Sequence, residues 1–168
     1  KTAKGRAVQN LINIEPDDKI KAYIRTNDLK DADYVNKMNV VMITKNGTIK
    51  KTSLEAYSRP RTNGVNAIEI RDNDQLLGAR LTSGDSEVMI ATKKGKCIRF
   101  PEEKARAVGR GSIGVRGISL EDNDEVIGMI VVNDVHNETV LVVSEKGYGK
   151  RTAVEDYRVT NRGGKGVI

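Results

Sequence analysis

An internal repeat is the feature that most constrains how this chain can fold. Ile113–Gly128 have the sequence IGVRGISLEDNDEVIG, and fifty residues earlier Asn63–Gly78 have the sequence NGVNAIEIRDNDQLLG. Both stretches contain a Gly-Val pair, an alternating apolar run and an Asp-Asn-Asp triplet. A second matching series places turn glycines at Gly47, Gly95 and Gly147, which are 48 and 52 residues apart. Tandem units of this length are typical of solenoids and propellers, so the repeat decides the fold class.

The repeat predicts one domain made of about three tandem units. The second series has the sequences TKNGTIKKTSLEAY, TKKGKCIRFPEEKA and SEKGYGKRTAVEDY. We predict a single domain over residues 1–168, with blades at approximately 1–61, 62–110 and 111–161 and the start of a next unit at 162–168. The first unit is longer because of a polar insertion near residues 27–36, for which we predict a loop.

Each unit has the pattern of short β-strands separated by turns. The runs VVMIT, EVMIAT and ETVLVVS are dense in aliphatic residues, and alternating segments lie at Val65–Ile70 and Val115–Leu120. Such runs and alternations predict strands. The Asp-Asn-Asp triplets supply the turn chemistry between them, because Asp and Asn side chains bond to nearby backbone groups. The pattern therefore predicts an all-β fold.

The segment after each strand run predicts a hairpin and then a helical turn. Asn46-Gly47 is typical of a type I′ hairpin. Two later segments match capping boxes, and Pro101 suits the first turn of a helix. The two boxes are Thr52-x-x-Glu55 and Thr152-x-x-Glu155. Four short strands and one helical turn per unit predict propeller-like blades in a partial ring, in preference to a sandwich.

Composition sets wide limits on the class of protein. Hydrophobic residues make up 38% of 168 residues, with no Trp and one Phe, so the core must be mostly aliphatic. No apolar run approaches the roughly 20 residues of a membrane span, so we expect no membrane partner. Cys97 is alone, which fits a reducing cytoplasm. The net charge of +6 suggests a polyanionic partner.

Positive charge is concentrated in the same part of every unit. The hairpin segments 45–61, 93–110 and 145–165 carry net charges of +4, +5 and +3. The segments 1–44, 62–92 and 111–144 carry +2, −3 and −5. Since equivalent segments of a repeat array occupy equivalent places, the blades should share a basic rim. A curved positive track suits duplex DNA, whose phosphates are contacted without reading bases.

The candidate DNA-binding residues are the basic residues of these segments, together with one arginine of the following connector. They are Lys45, Lys50, Lys51, Arg59, Arg61, Lys93, Lys94, Lys96, Arg99, Lys104, Arg106, Arg110, Arg116, Lys146, Lys150, Arg151, Arg158, Arg162 and Lys165. The alternative function is a propeller-type scaffold for protein interactions, in which the lysines only keep the surface soluble. An independent enzyme is a third and weaker possibility.

The motifs typical of enzymes and metal sites are poorly supported. Gly109–Gly114 satisfy the G-x-G-x-x-G pattern, but a dinucleotide site needs a strand before it and a helix after it, and here a strand follows. The acidic triplets lack the ligand ladder of a calcium loop. His136 has no second His or Cys nearby, which excludes a zinc site. We therefore expect no catalytic residues, no metal and no cofactor in this chain.

Three stretches resemble the C-terminal domain of the A subunit of DNA gyrase, and more distantly that of topoisomerase IV. They are IGVRGISLEDNDEVIG, SEKGYGKRTAVEDY and LTSGDSEVMIATKKGKCIRF. The resemblance covers essentially the whole chain and implies a β-pinwheel, whose blades exchange strands and bend duplex DNA around a basic rim. In that family the wrapped DNA is passed by an ATP-driven core, which leaves negative supercoils.

The resemblance also implies the partners and the place of action. They are double-stranded DNA, the rest of the gyrase A subunit, and the gyrase B subunit, in the bacterial cytoplasm at the nucleoid. A complete gyrase pinwheel has about six blades, so this chain resembles the C-terminal half. Thr160–Gly166 match the last five positions of the gyrase box QRRGGKG, but at the other end of the ring, and we interpret them as a connector between blades.

Overall fold

The computed structural model describes residues 4–168, and most of their regular structure is β. The strands are β1 (Asn39–Thr44), β2 (Thr48–Ser53), β3 (Leu76–Thr82), β4 (Glu87–Thr92), β5 (Cys97–Pro101), β6 (Val115–Arg116), β7 (Val126–Val132), β8 (Thr139–Val143) and β9 (Gly149–Ala153). The helical segments are α1 (Ala32–Lys37) and the 3-10 turns Val8–Asn10, Leu54–Tyr57, Glu102–Lys104 and Val154–Asp156. The prediction of an all-β fold is confirmed.

The sheets are built from strands of different repeat units. The first sheet has the order β3-β1-β2-β6, the second β5-β4-β7 and the third β8-β9. The hairpin β1–β2 of the first unit accepts β3 from the second unit, and β4–β5 accepts β7 from the third, all in antiparallel pairing. β6 joins the other side of the first sheet through the pair Ile49 and Val115. Only the first sheet therefore has the four strands expected of every blade, and it needs three units to complete them.

The hairpin loops are longer than the predicted type I′ turn. The Gly47 amide donates to the Thr44 carbonyl oxygen at 3.1 Å, and Gly47 has a φ of +85°. A type I′ turn needs positive φ at both central residues, but Asn46 is not in that region. The loop is instead a three-residue connection that ends in a left-handed glycine. Gly95 and Gly147 repeat it, each with a φ of +83°.

The Asp-Asn-Asp triplets form the predicted turns. The middle residues Asn73 and Asn123 adopt φ values of 63° and 59°, which asparagine tolerates better than most side chains. Each turn is closed by a backbone hydrogen bond of 3.1 Å, from Asp74 to Arg71 in one case. The same bond joins the ends of the second turn, so both triplets reverse the chain before an exchanged strand.

The capping boxes predicted after the hairpins are not formed. The turn Leu54–Tyr57 is capped by Ser53, whose hydroxyl accepts from the Glu55 amide at 3.3 Å. The Thr52 hydroxyl is buried without a hydrogen-bond partner among the described residues. Thr52 lies inside β2, and Ser53, one residue later, takes the cap position. The corresponding 3-10 turns after β5 and β9 have Pro101 and Ala153 at the cap position and no side-chain cap.

Two other local predictions are wrong. The polar insertion contains helix α1, whose first turn is capped by the Asp31 carboxylate accepting from the Asp33 and Tyr34 amides. The helix buries Val35, which explains why a mostly polar segment is ordered. The predicted strand at Val65–Ile70 is not formed, and only β6 forms within residues 115–120. β6 pairs with the hairpin of the first unit, whereas residues 4–38 contain no strand that could receive Val65.

Three apolar clusters lie on alternating faces of the hairpin strands. Val41 and Ile43 of β1 face the largest cluster, which the first and second sheets share. Val40 and Met42 face the opposite way, toward Val35 of α1. The third cluster joins the second and third sheets and includes Met89, Val132 and Val154. Because both faces of β1 and β4 are covered, their sequences are continuous apolar runs without clean alternation.

A left-handed glycine recurs at the same place in the connector of each unit. Gly64, Gly114 and Gly166 occupy the same place in three units and have φ values of 75°, 105° and 75°. A Cβ atom on Gly114 would lie 2.5 Å from the Ile49 carbonyl oxygen, and one on Gly166 would lie 2.8 Å from the Cys97 carbonyl oxygen. Gly64 has open space at that position. Glycine is therefore required at Gly114 for both conformation and space.

Alanine variants of these glycines separate the cost of a left-handed backbone from the cost of a steric clash. We expect Gly64→Ala to lower the free energy of unfolding by about 1–2 kcal/mol, which is the cost of a left-handed alanine. Gly114→Ala should lower it by several kcal/mol, because the new methyl group also collides with backbone. Gly111→Ala, with neither feature, is the control. Urea denaturation of the variants measures the difference, and equal losses for Gly64→Ala and Gly114→Ala would contradict the packing argument.

Candidate nucleic-acid interface

The basic hairpin tips are covered by the acidic turns of the following unit. The Asn46 amide donates to the Asp74 carboxylate at 2.9 Å, and the Lys94 amide donates to the Asp124 carboxylate at 3.0 Å. The same contact thus recurs at two successive hairpins. It places a net-negative segment directly against a net-positive one. This contact was not predicted from the sequence, although the net charge of −5 on residues 111–144, next to the basic hairpins, was a signal for it.

Several hairpin lysines form ion pairs with these turns. Lys45 Nζ lies 2.7 Å from a Glu125 carboxylate oxygen, and Lys93 Nζ lies 3.5 Å from the other. Lys96 pairs with Glu121. The hydrogen bond from Lys45 is the main cause that holds the pKa of Glu125 below its usual range, and the bond from Lys96 does the same for the pKa of Glu121. The hairpin edge is therefore partly neutralised.

Three of the candidate DNA-binding residues are buried, and this corrects the sequence analysis. Lys50 is 1% exposed, Lys51 8% and Arg99 6%, so none of them can reach a phosphate in this structure. The Lys50 ammonium donates to the carbonyl oxygens of Ala67, at 2.7 Å, and Arg110. Burial, and then the nearby Arg110, lower the pKa of Lys50.

Lys51 and Arg99 bind the next unit instead of solvent. Lys51 Nζ donates to the Glu102 carbonyl oxygen at 3.0 Å and lies 3.5 Å from the buried Glu102 carboxylate. Arg99 Nη1 donates to the carbonyl oxygens of Val154, at 2.9 Å, and Tyr157, at 2.7 Å. These contacts satisfy a buried charge, which is otherwise costly. Both side chains therefore join successive units.

A second edge of the molecule carries basic residues that have no acidic partner. It is formed by the 3-10 turns, the connectors after them and the end of β6, and we call it the connector edge. Its exposed or half-exposed members are Arg59, Arg61, Lys104, Arg106, Arg110, Arg116, Arg158, Arg162 and Lys165. Within residues 4–168, none of these side chains forms an ion pair with a carboxylate. The structure therefore leaves positive charge open along this edge.

The connectors of the second and third units meet in one part of this edge. Arg162 Nε donates to the Lys104 carbonyl oxygen at 2.9 Å, and its Nη1 donates to the Arg116 carbonyl oxygen. Beside this contact lies an open depression of about 420 Å³, lined by Lys104, Arg158 and Pro101 among others. The Arg162 side chain thus joins the connectors of two units. Lys104 and Arg158 border the depression and make it basic.

The remaining candidates are on the third hairpin. Lys146, Lys150 and Arg151 are exposed, although Lys150 and Arg151 occupy the same places as the buried Lys50 and Lys51. Among residues 4–168 the third sheet consists of β8 and β9, so these charges stay in solvent. The helices of residues 4–168 include none that is long and apolar enough to cross a bilayer.

A family model for the DNA gyrase C-terminal domain, a β-propeller, matches residues 39–83, 86–133 and 138–168, which is more than half of the chain. Each matched segment contains one hairpin, and the first two also contain the strand exchanged onto it. The chain belongs to this family. The propeller-like fold class is thereby confirmed, and so is the resemblance to the gyrase A subunit.

Individual members of the DNA gyrase C-terminal domain family support the assignment. The DNA gyrase A subunit of Staphylococcus aureus (strain NCTC 8325 / PS 47) is 44% identical over 165 residues, which is 98% of this chain and 18% of that protein. The chain therefore spans less than a fifth of the relatives' length. The crystal structure of the C-terminal domain of DNA topoisomerase IV superposes with a TM-score of 0.86 at 26% identity, over 98% of this chain and 49% of that one.

A gyrase structure gives nearly the same result. The C-terminal domain of DNA gyrase A superposes with a TM-score of 0.84 at 26% identity, and the match covers 98% of this chain and 53% of that one. The superposition thus includes the hairpins together with the strands exchanged onto them. The division of the present chain into blades at 1–61, 62–110 and 111–161 stays a prediction about the repeat.

The pairing at the hairpin tips can be tested by titration. We expect Lys45→Met to raise the pKa of the Glu125 carboxyl toward its usual value, because the bond from Lys45 is the main cause of its lowering. The folded-state pKa is depressed, so the pair stabilises the fold above the ordinary carboxyl range and loses this effect as the pH falls through the folded value. NMR titration of the carboxyl carbons measures the Glu125 pKa in the parent and in the variant.

Asp134 provides the control for this titration. Its pKa is lowered mainly by a hydrogen bond from Asn137, in a loop that Lys45 does not touch. The pKa of Asp134 should therefore be the same in the parent and in Lys45→Met. An unchanged Glu125 pKa in the variant would show that the ion pair is not formed in solution.

Proposed function

We propose that this chain binds duplex DNA along the connector edge and bends it, as part of a DNA gyrase. The observation that carries the proposal is the repetition of open positive charge at that edge. Arg106 and Arg158 occupy the same place in successive units, and so do Arg110 and Arg162. Family membership supplies the class of partner, and the unpaired arginines supply a surface that suits it.

The chemistry of this edge favours contact with phosphates over reading of bases. Arginine pairs with phosphate oxygens by charge and by two parallel hydrogen bonds. Across residues 4–168 the only α-helix has six residues and lies in the first unit, away from the repeated arginines, so no recognition helix accompanies them. A set of cations repeated from unit to unit along a curved array favours a bent duplex held by its backbone.

The wider role that we propose is that of a DNA-wrapping domain within the complete gyrase. The chain would present a wrapped segment of DNA to a core made by the rest of the gyrase A subunit together with the B subunit, in the bacterial cytoplasm. Strand passage driven by ATP in that core would then leave negative supercoils. In this proposal the chain contributes binding and shape, and catalysis is performed elsewhere in the assembly.

Salt dependence tests the proposal directly. We expect log K for a duplex of about 40 base pairs to fall steeply with log salt, with a slope near 0.9 for each phosphate neutralised. Arg106→Gln together with Arg158→Gln should remove about two phosphate contacts and make that slope correspondingly less steep. Lys45→Gln together with Lys93→Gln should lower it less, because these lysines are already paired with Glu125. Fluorescence anisotropy at several salt concentrations measures each slope.

Two results would contradict this assignment. A flat salt response in the parent would favour a protein-interaction scaffold over DNA binding. A larger effect from the Lys45 and Lys93 pair than from the Arg106 and Arg158 pair would place DNA at the hairpin tips.

Contact with the backbone also predicts weak sequence preference. Unrelated duplexes of equal length should bind with affinities within about tenfold of one another, or roughly 1.4 kcal/mol. Competition between labelled and unlabelled duplexes measures the ratio. Discrimination of a thousandfold would show that base edges are read.

A further inference from the structure

One position in each of two hairpins holds the following unit through its backbone. Lys51 of β2 and Arg99 of β5 occupy the same place in successive units. The Val108 amide donates to the Lys51 carbonyl oxygen at 2.8 Å, and the Thr160 amide donates to the Arg99 carbonyl oxygen at the same distance. Each pair lies beside a parallel bridge between the hairpin and the connector of the next unit.

The side chains of the same two residues hold the 3-10 turn that precedes that connector. Arg99 Nη1 binds the carbonyl oxygens of Val154 and Tyr157, and its Nε pairs with the Glu87 carboxylate. Lys51 Nζ binds the carbonyl oxygen of Glu102. Backbone and side chain thus hold two points of one segment, and each side chain is fixed because it is buried.

The segment that is held in this way carries the repeated arginines of the connector edge. Val108 lies midway between Arg106 and Arg110, and Thr160 lies midway between Arg158 and Arg162. Tyr157, which accepts from Arg99, comes directly before Arg158. The place and direction of each arginine pair therefore depend on the residue that holds its connector.

We propose that Lys51 and Arg99 are positioning residues for DNA: Lys51 sets the Arg106 and Arg110 pair, and Arg99 sets the Arg158 and Arg162 pair. The inference rests on the proposed function, because it assumes that these pairs contact phosphate. It assigns the two buried cations an effect on DNA binding without contact with DNA. It also makes the effect local, since each cation holds the connector of one unit only.

A double-mutant cycle on duplex affinity tests this locality. The probe is a duplex of about 40 base pairs at fixed low salt, measured with the full chain. We expect Arg158→Gln to weaken binding about fivefold and Arg99→Gln about tenfold, and the double variant to be no weaker than about tenfold. Once Arg99 no longer holds the connector, replacing Arg158 should change the affinity little, because Arg158 is already displaced from its place.

Arg106→Gln is the matched control, because it removes the same kind of contact one unit earlier. Its effect should multiply with that of Arg99→Gln, giving about fiftyfold, since Arg106 depends on Lys51. Lys51→Gln should show the reverse pattern, coupled to Arg106→Gln and independent of Arg158→Gln. A general loss of folding would couple both arginines equally to either cation.

Folding is controlled with a conservative variant and a core variant. Arg99→Lys keeps the charge, and Lys51 shows that a lysine fits this place in the other unit, so it should fold and weaken binding less than Arg99→Gln. Val40→Ala removes buried volume from the cluster around α1, which contains no residue of either connector, and its cycle with Arg158→Gln should be additive.

The outcomes separate this inference from the proposed function. If Arg106→Gln and Arg158→Gln leave affinity unchanged, then the connector edge is not the DNA surface and both proposals fail. If each weakens binding but both cycles with Arg99 are additive, then the proposed function stands and the positioning role is overturned. Coupling of Arg99 to Arg158 alone is the result that supports it.

Discussion

The open backbone edge of each hairpin is the constraint on which the rest of this structure depends. β1 pairs with β2 on one side, and its other side would bury unpaired amide and carbonyl groups without a further strand. That strand comes from the next unit, as β3, and β7 serves the second hairpin in the same way. Because the strand is exchanged, the acidic turn before it and the connector after the next hairpin are brought against the earlier unit.

Much of the fold could be predicted from the repeat, since its signals are local. The apolar runs at Val40–Thr44 and Glu87–Thr92 form strands, and the Asp-Asn-Asp triplets form turns at Asn73 and Asn123 as expected. The predictions of local structure failed where a residue could belong to more than one element. Thr52 matches a capping residue, but its place inside β2 commits it to the sheet. The insertion looked like a loop because its sequence is mostly polar, but Val35 is buried in the apolar cluster and Leu29 and Tyr34 pack against it.

The site was harder to predict, because burial here is decided by the neighbouring unit. Lys50 and Lys150 are the same residue at the same place in the repeat, yet Lys50 is buried, with its ammonium on the Ala67 and Arg110 carbonyl oxygens of the second unit, and Lys150 is exposed. No pattern within one unit distinguishes them. The same limit applies to the hairpin lysines, because Glu121 lies 25 residues from its partner Lys96 and Glu125 lies 32 residues from Lys93. The net charge of each segment identified the basic half of each unit, but it did not show which of its basic residues would have no acidic partner.

Exchange of strands also sets an order for assembly during synthesis. β1 and β2 can form a hairpin as soon as they leave the ribosome, but their sheet waits for β3, and its fourth strand, β6, lies more than sixty residues beyond β2. Closing contacts at such separations costs chain entropy before burial compensates for it, so completion is slower than hairpin formation. Each unit in turn supplies a strand to the one before it, and the unpaired backbone edge of the newest hairpin stays open to solvent until that strand emerges. The array therefore assembles from its amino terminus with unfinished blades at its growing end.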